Sequence, residues 1–190
     1  MFDDCMKILL IDVSPSMYMT GALETVKEAL QLLTKVDEEA SERCPAVKVY
    51  ICGSDNIEEV HPSIGLGSTE WEDIAEYLEN RNDKVYSSIG YALRELIKRY
   101  GRVNILAITD GEWNYPRSRR LRKLIYEELA RADPSSVRVT ILDIKPRVRT
   151  SNLLSELAVK NPMVFNIITH ILDPRGISMY ISNWICRDDC

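Results

Sequence analysis

Ile8-Leu9-Leu10-Ile11-Asp12-Val13-Ser14-Pro15-Ser16 is the stretch that decides the fold. Residues 6–13 read as one strand whose apolar run does not alternate with polar residues. That pattern marks a strand buried on both faces, as in parallel sheets covered by helices. A carboxylate and two hydroxyls follow where the strand ends and the chain turns. Hard cations such as Mg²⁺ are held by oxygens of this kind, usually through one or two carboxylates, with water and a partner's oxygen completing the shell. The stretch therefore predicts a buried parallel strand with half of a cation site at its carboxyl end.

Working outward, the pattern repeats. Strands are predicted at 47–52, 103–109, 137–144 and 163–168, and a short edge strand at 57–61 that Pro62 stops. Helices fall between them. Residues 21–40 bury Leu23, Val26, Leu30 and Leu33, and residues 70–78 begin at a capping Thr69. A helix capped by Ser87 or Ser88 runs to Tyr100, where Gly101 stops it. Residues 117–132 turn Leu121, Leu124, Ile125 and Leu129 inward, and helices at 151–160 and 174–185 complete the set. Alternating strands and helices predict an α/β fold: a doubly wound, mostly parallel central sheet with helices on both faces and one short antiparallel edge strand. The 190 residues suit a single domain, 1–190.

Composition narrows the class of partner. The net charge of −5 argues against a dedicated nucleic-acid binder, for which a basic domain is expected. The acidic start Met1-Phe2-Asp3-Asp4-Cys5 lacks the basic flank of a signal peptide, and no apolar run approaches the ~18–20 residues of a membrane helix. The expectation is a cytoplasmic protein. Of five cysteines, an odd number favours free, buried thiols. Against that, Asp3-Asp4-Cys5 and Asp188-Asp189-Cys190 mirror each other at the two ends, so a bridge from Cys5 to Cys186 or Cys190 is a possible disulfide. Such bonds occur inside hyperthermophiles, and a single glutamine, Gln31, suits a thermophilic source. His61 and His170 stand apart from any nucleophile and read as structural.

Ligands of doubly wound sheets bind beyond the carboxyl ends of the strands, near a topological switch point. Three polar groups fall there: Asp12, Ser14 and Ser16; Asp110 in Ile108-Thr-Asp-Gly-Glu112; and the pair Ser87-Ser88 at a helix start. In this order the chain resembles the von Willebrand factor type A domains, whose metal-ion-dependent adhesion site reads Asp-x-Ser-x-Ser, then a threonine, then an aspartate. Leu10-Ile-Asp-Val-Ser-Pro-Ser-Met17 matches the first element, Ile108-Thr-Asp-Gly-Glu112 the last, and Ser87-Ser-Ile-Gly-Tyr-Ala-Leu93 resembles the family's Thr-x-Ile-Gly-x-Ala-Leu. The resemblance spans residues 7–185. It departs at Ser87, where the family has threonine; serine keeps the hydroxyl and loses the methyl that restricts its rotamer.

The resemblance implies a Rossmann-like fold and a Mg²⁺ or Mn²⁺ ion held by Ser14 and Ser16 directly. Asp12 and Asp110 would act mainly through waters and hydrogen bonds to those hydroxyls, with Ser87 direct or water-mediated. It further implies that a partner protein's Asp or Glu carboxylate completes the shell, so the domain would be a non-catalytic protein–protein interaction module. Large side chains in the flanking loops (Met17, Tyr18, Met19, Tyr86, Trp113 and Tyr115) are of the kind that anchor interfaces, with Trp113 and Tyr115 favoured because Pro116 keeps their loop extended. The basic run Arg117, Arg119, Arg120, Arg122 and Lys123 is either a solvated helix surface or a rim that steers an acidic partner. Two rivals remain: a metal-free assembly protein with a degenerate site, and a Mg²⁺-dependent phosphoester hydrolase. The hydrolase is disfavoured because aspartate-nucleophile phosphatases usually carry a second aspartate two residues on, where this chain has Ser14.

Overall fold

One sheet of six strands organises the computed structural model, which describes residues 5–53, 56–79, 87–144, 152–169, 171 and 173–187. Strands β1 (Met6–Asp12), β2 (Val47–Gly53), β3 (Asn56–Ile64), β4 (Val103–Thr109), β5 (Val137–Asp143) and β6 (Phe165–Ile168) lie side by side in the order β3-β2-β1-β4-β5-β6. Every neighbouring pair is parallel except β2–β3, which is antiparallel at the edge. The expected doubly wound α/β class is the observed one. Its switch point lies between β1 and β4, because the chain leaves β1 toward β2 and leaves β4 toward β5.

Alternation along β1 sends side chains to opposite faces and builds two cores. Leu9 and Ile11 pack on one face with α1 (Pro15–Met19), α2 (Ala22–Leu33), α4 (Glu70–Glu79) and α8 (Pro174–Cys186), through residues such as Met17, Leu30, Trp71 and Ile181. Ile8 and Leu10 pack on the other with α5 (Ile89–Tyr100), α6 (Arg119–Leu129) and α7 (Asn152–Lys160), through Leu93, Ile125 and Leu157. All four β1 side chains are fully buried. Each contributes about 1.5–3 kcal/mol on leaving water.

The structure departs from the sequence expectations at four places. The helix expected over 21–40 ends at Leu33, whose carbonyl accepts the N–H of Gly67 at 3.1 Å. A separate turn, α3 (Glu38–Ser41), begins where the Asp37 carboxylate accepts the N–H of Glu39. Pro62 does not stop the edge strand. β3 runs on to Ile64, with a register shift between the Val49–His61 and Val47–Ile64 pairs. On an outer strand such a bulge accommodates the missing N–H. On α6 the buried residues are Ile125 and Leu129, whereas Leu121 and Leu124 are half exposed; the place one turn before Ile125 and Leu129 belongs to Arg122. Its guanidinium Nη1 donates to the carbonyls of Asn114, Pro116 and Arg117 at 3.1, 2.6 and 2.9 Å.

The cysteines are the fourth departure. Cys186 pairs with Cys44, 142 residues away in sequence, and not with Cys5. Cys5 is itself disulfide-bonded, Cys190 lies outside the described residues, and Cys52 is the one free, buried thiol among the described residues. The pairing follows from packing. Helix α8 lies against α2, which carries its last turn to the segment preceding β2, a closeness the mirrored termini do not encode. Lys7 fastens the same helix end: its buried ammonium donates to the carbonyls of Trp184 at 2.9 Å, Ile185 at 3.0 Å and also Arg187. A positive charge there satisfies helix-terminal carbonyls and complements the helix dipole.

Between α5 and α6, Glu128 accepts from Arg94 Nε at 2.6 Å and Nη2 at 3.3 Å, and pairs with Lys98 at 2.9 Å. The Arg94 hydrogen bond, then that of Lys98, holds its carboxyl at about 2, below the ordinary 4.5. A depressed folded-state value means the contribution to stability is present above pH 4.5 and lost as pH falls through about 2. Glu128→Gln, which lacks that contribution at every pH, is therefore expected to lower the neutral-pH melting temperature and to flatten the acid limb of stability between those two pH values. Circular dichroism melts across that range measure it; an unchanged acid limb would show that the pair carries no linkage.

Candidate functional site

Asp12 is the last residue of β1, and its carboxylate is fully buried. Three donors converge on it. The N–H of Ser14 donates to Oδ1 at 2.9 Å, while the hydroxyls of Ser87 and Thr109 donate to Oδ2 at 2.7 and 2.8 Å. Ser87 stands two residues before α5, whose N-cap is Ser88, and Thr109 ends β4, so one side chain joins the first strand, the segment leading into α5 and the neighbouring strand. Asp110, also buried, follows Thr109 and accepts the N–H of Glu112 at 3.4 Å. Pro15 starts the single turn α1 at its first position, where no N–H is needed. That turn brings the hydroxyls of Ser14 and Ser16 to 3.1 Å of each other.

Burial and the adjacent Asp110 charge push Asp12 upward, and the three hydrogen bonds pull it down; burial dominates, leaving it at about 6 against an ordinary 3.8. The three groups that donate to it, one backbone N–H and two hydroxyls, are all neutral. The donor set fits a divalent cation on that ground. The hydroxyls of Ser87 and Thr109 spend their protons on the buried Asp12 carboxylate, leaving oxygen lone pairs for other partners beside a second buried carboxylate, Asp110. Ser14, Ser16, Ser87 and Asp110 are the residues that would hold it, with Asp12 as their organiser. The described residues contain no group of three or more His, Cys, Asp or Glu side chains able to hold a metal, so a cation here would rest on hydroxyl and water oxygens with few protein charges.

Of the two serines left open by the sequence, Ser87 faces Asp12, and Ser88 faces the thiol of Cys52. Two residues at the site went unnoticed in the sequence. Thr109 stands directly before Asp110 at a strand end, a position that signals a hydroxyl aimed at the site. Asp143 ends β5 opposite Thr109 and is buried. Its Oδ2 lies 2.8 Å from where a Cβ on residue 111 would sit, and Gly111 has φ 83°, so only glycine fits that turn. The same rule that pointed to Asp12, a carboxylate closing a buried strand, would have found Asp143.

The expected interface side chains divide. Met17 is fully buried in the core beside α2 and Trp113 is 4% exposed, so neither is a surface anchor; a one-turn helix and a folded-back loop take them inside. Tyr18 is half-buried, its hydroxyl donating to the Leu78 carbonyl at 3.1 Å. Tyr115 is half-buried and packs edge-on to Tyr91 at 6.0 Å, and Tyr86 lies outside the described residues. Met19 is 87% exposed on the turn that carries Ser16. Arg117, Arg119, Arg120 and Lys123 are exposed at the start of α6, while Arg122 straps the preceding loop.

The sequence matches no protein-family model and no curated protein. Solved structures do match. The PilB minor pilin from Streptococcus sanguinis is similar with a TM-score of 0.64 at 12% identity, over 97% of this chain and 62% of that one. The SpaC pilus adhesin from Lactobacillus rhamnosus GG gives 0.60 at 13% identity, over 96% of this chain and 30% of the adhesin. The SpRpn10 VWA domain gives 0.55 at 9% identity, covering 93% of both chains. This chain thus spans less than two thirds of the pilin and about a third of the adhesin. At such identities the likeness is one of fold alone, and the six-stranded, mostly parallel sheet with one antiparallel edge strand is consistent with the Rossmann-like fold of the VWA domain among these structures.

Proposed function

We propose that the domain is a non-catalytic protein–protein interaction module whose switch-point site holds Mg²⁺ or Mn²⁺ and receives an Asp or Glu carboxylate from a partner. The observation that carries this reading is the buried Asp12 carboxylate, which gathers Ser14, Ser87 and Thr109 from three segments of the chain. That arrangement organises hydroxyl oxygens and supplies little charge. A cation with few protein charges stays electrophilic, so an external carboxylate gains a strong, charge-assisted contact. Exposed Arg119, Arg120 and Lys123 on α6 suit an acidic partner and would raise its rate of encounter. Met19 takes the anchoring role expected of Met17. The pilin, adhesin and VWA folds among the similar structures are consistent with an interaction role. A cytoplasmic residence would be compatible with the Cys44–Cys186 bond if the source were a hyperthermophile, since disulfides are otherwise rare in the cytosol.

Crystals grown with Mn²⁺ test the reading. Anomalous density is expected between Ser14, Ser16 and Asp110, together with a Mn²⁺-dependent rise in melting temperature. Saturating Mn²⁺ that yields neither density nor a shift would leave the metal-free alternative.

A further inference from the structure

The loop after β4 is built around Ser87, and its contacts go beyond what a chain connection requires. Ser87 carries two kinds of bond. Its hydroxyl donates to Asp12, and its carbonyl accepts the N–H groups of Asn114 at 3.3 Å and Tyr115 at 2.9 Å. Trp113 sits across the start of α5: a Cβ placed on Gly90 would lie 2.0 and 2.1 Å from Cε2 and Cζ2 of its indole. The indole N–H donates to the Tyr115 carbonyl at 2.8 Å, which fixes the ring to the residue that holds Ser87. From the far side Arg122 binds three carbonyls of residues 114–117. Ser87 is thus gripped through its main chain by a loop locked at one end by Trp113 on Gly90 and at the other by Arg122.

We infer that Trp113 and Arg122 are positioning residues that fix the Ser87 side chain toward Asp12 and the cation site, replacing the rotamer restriction that a threonine methyl would supply. A serine hydroxyl has three staggered χ1 wells, and one of them must be selected. Threonine narrows the choice through its own β-branch. Here the selection comes from outside the residue, by immobilising its backbone and walling its surroundings. The same contacts explain the absence of a side chain at residue 90, since any Cβ there would displace the indole. The inference rests on the proposed cation site for its consequence, but the positioning itself is metal-free.

The test uses the whole domain. Trp113→Phe removes the indole hydrogen bond while keeping an aromatic ring, and Arg122→Met removes the strap from a half-buried helix position without opening the core. In metal-free protein, the Ser87 Hα–Hβ three-bond couplings measured by NMR are expected to show one rotamer in wild type and averaged values in both variants. Mn²⁺ affinity, read by electron paramagnetic resonance, should fall about three- to tenfold, the lower figure being the dilution of one χ1 well over three. Adding Ser87→Thr to either variant should return the affinity to that of Ser87→Thr alone, a rescue that a merely structural role for Trp113 or Arg122 would not produce. Ser87 couplings unchanged in both variants, or affinity that threonine does not restore, would overturn the inference. Wild-type protein that binds no Mn²⁺ would instead remove the proposed function, and the metal-free couplings would still decide whether the clamp acts.

Discussion

Replacing Cys44 and Cys186 together by serine is expected to lower stability by about 2–5 kcal/mol, with melting temperature falling by roughly 5–15 °C for a domain of this size. The bond joins residues 142 apart, so it constrains most of the unfolded chain. The chain-entropy account assigns about 5 kcal/mol to a loop of that length, and engineered cases often return less. The effect should be large but not fatal, because α8 has other holds. Lys7 binds its terminal carbonyls, and Trp184 Nε1 donates to Asn104 Oδ1 at 3.0 Å. Cys186 is exposed, so reductant should reach the bond in the native state. The double serine variant is needed besides reductant, since Cys5 is also disulfide-bonded and would be reduced with it. Urea titrations of the two forms measure the difference; a variant as stable as wild type would show that Lys7 and the α2–α8 packing already hold the helix.

How much of this was legible in sequence depends on whether the signal was local. β1 and β4 carry short apolar runs closed by polar residues, and their burial leaves a pattern that two-sided packing explains. The sheet class followed from alternation of elements. Asp12, Ser14, Ser16 and Asp110 were visible because a strand end is the place where polar residues cost little and bind ligands. What could not be read depends on contacts distant in sequence. Leu121 and Leu124 have the right spacing to face inward, yet Arg122 occupies the buried side of α6 because three carbonyls of the preceding loop need donors. Met17 and Trp113 looked like interface anchors because loops are usually exposed, and both are covered by α2 or α5. The partner of Cys186 depends on where α8 docks, and no periodicity encodes that.

Ser14→Ala combined with Ser16→Ala is expected to abolish Mn²⁺ binding while leaving the metal-free fold within about 1 kcal/mol of wild type, and Asp12→Ala is expected to do the opposite kind of damage. The two hydroxyls lie 3.1 Å apart and bond to each other, so deleting both leaves no orphaned partner. Removing both members of a hydrogen-bonded pair is far cheaper than removing one. Asp12 is different. Its loss strands the Ser14 N–H and the hydroxyls of Ser87 and Thr109, all at buried residues, each costing about 1–3 kcal/mol without an acceptor. Release of a carboxylate held in a dry site offsets part of that, so a net loss of about 2–4 kcal/mol is expected. Chemical denaturation without metal and Mn²⁺ titration with it separate the two roles. A double serine variant that still binds Mn²⁺ would move the ion away from the Ser14–Ser16 turn. An Asp12→Ala variant as stable as wild type would mean that the three converging donors find other acceptors, and that Asp12 is a ligand and not the organiser of the site.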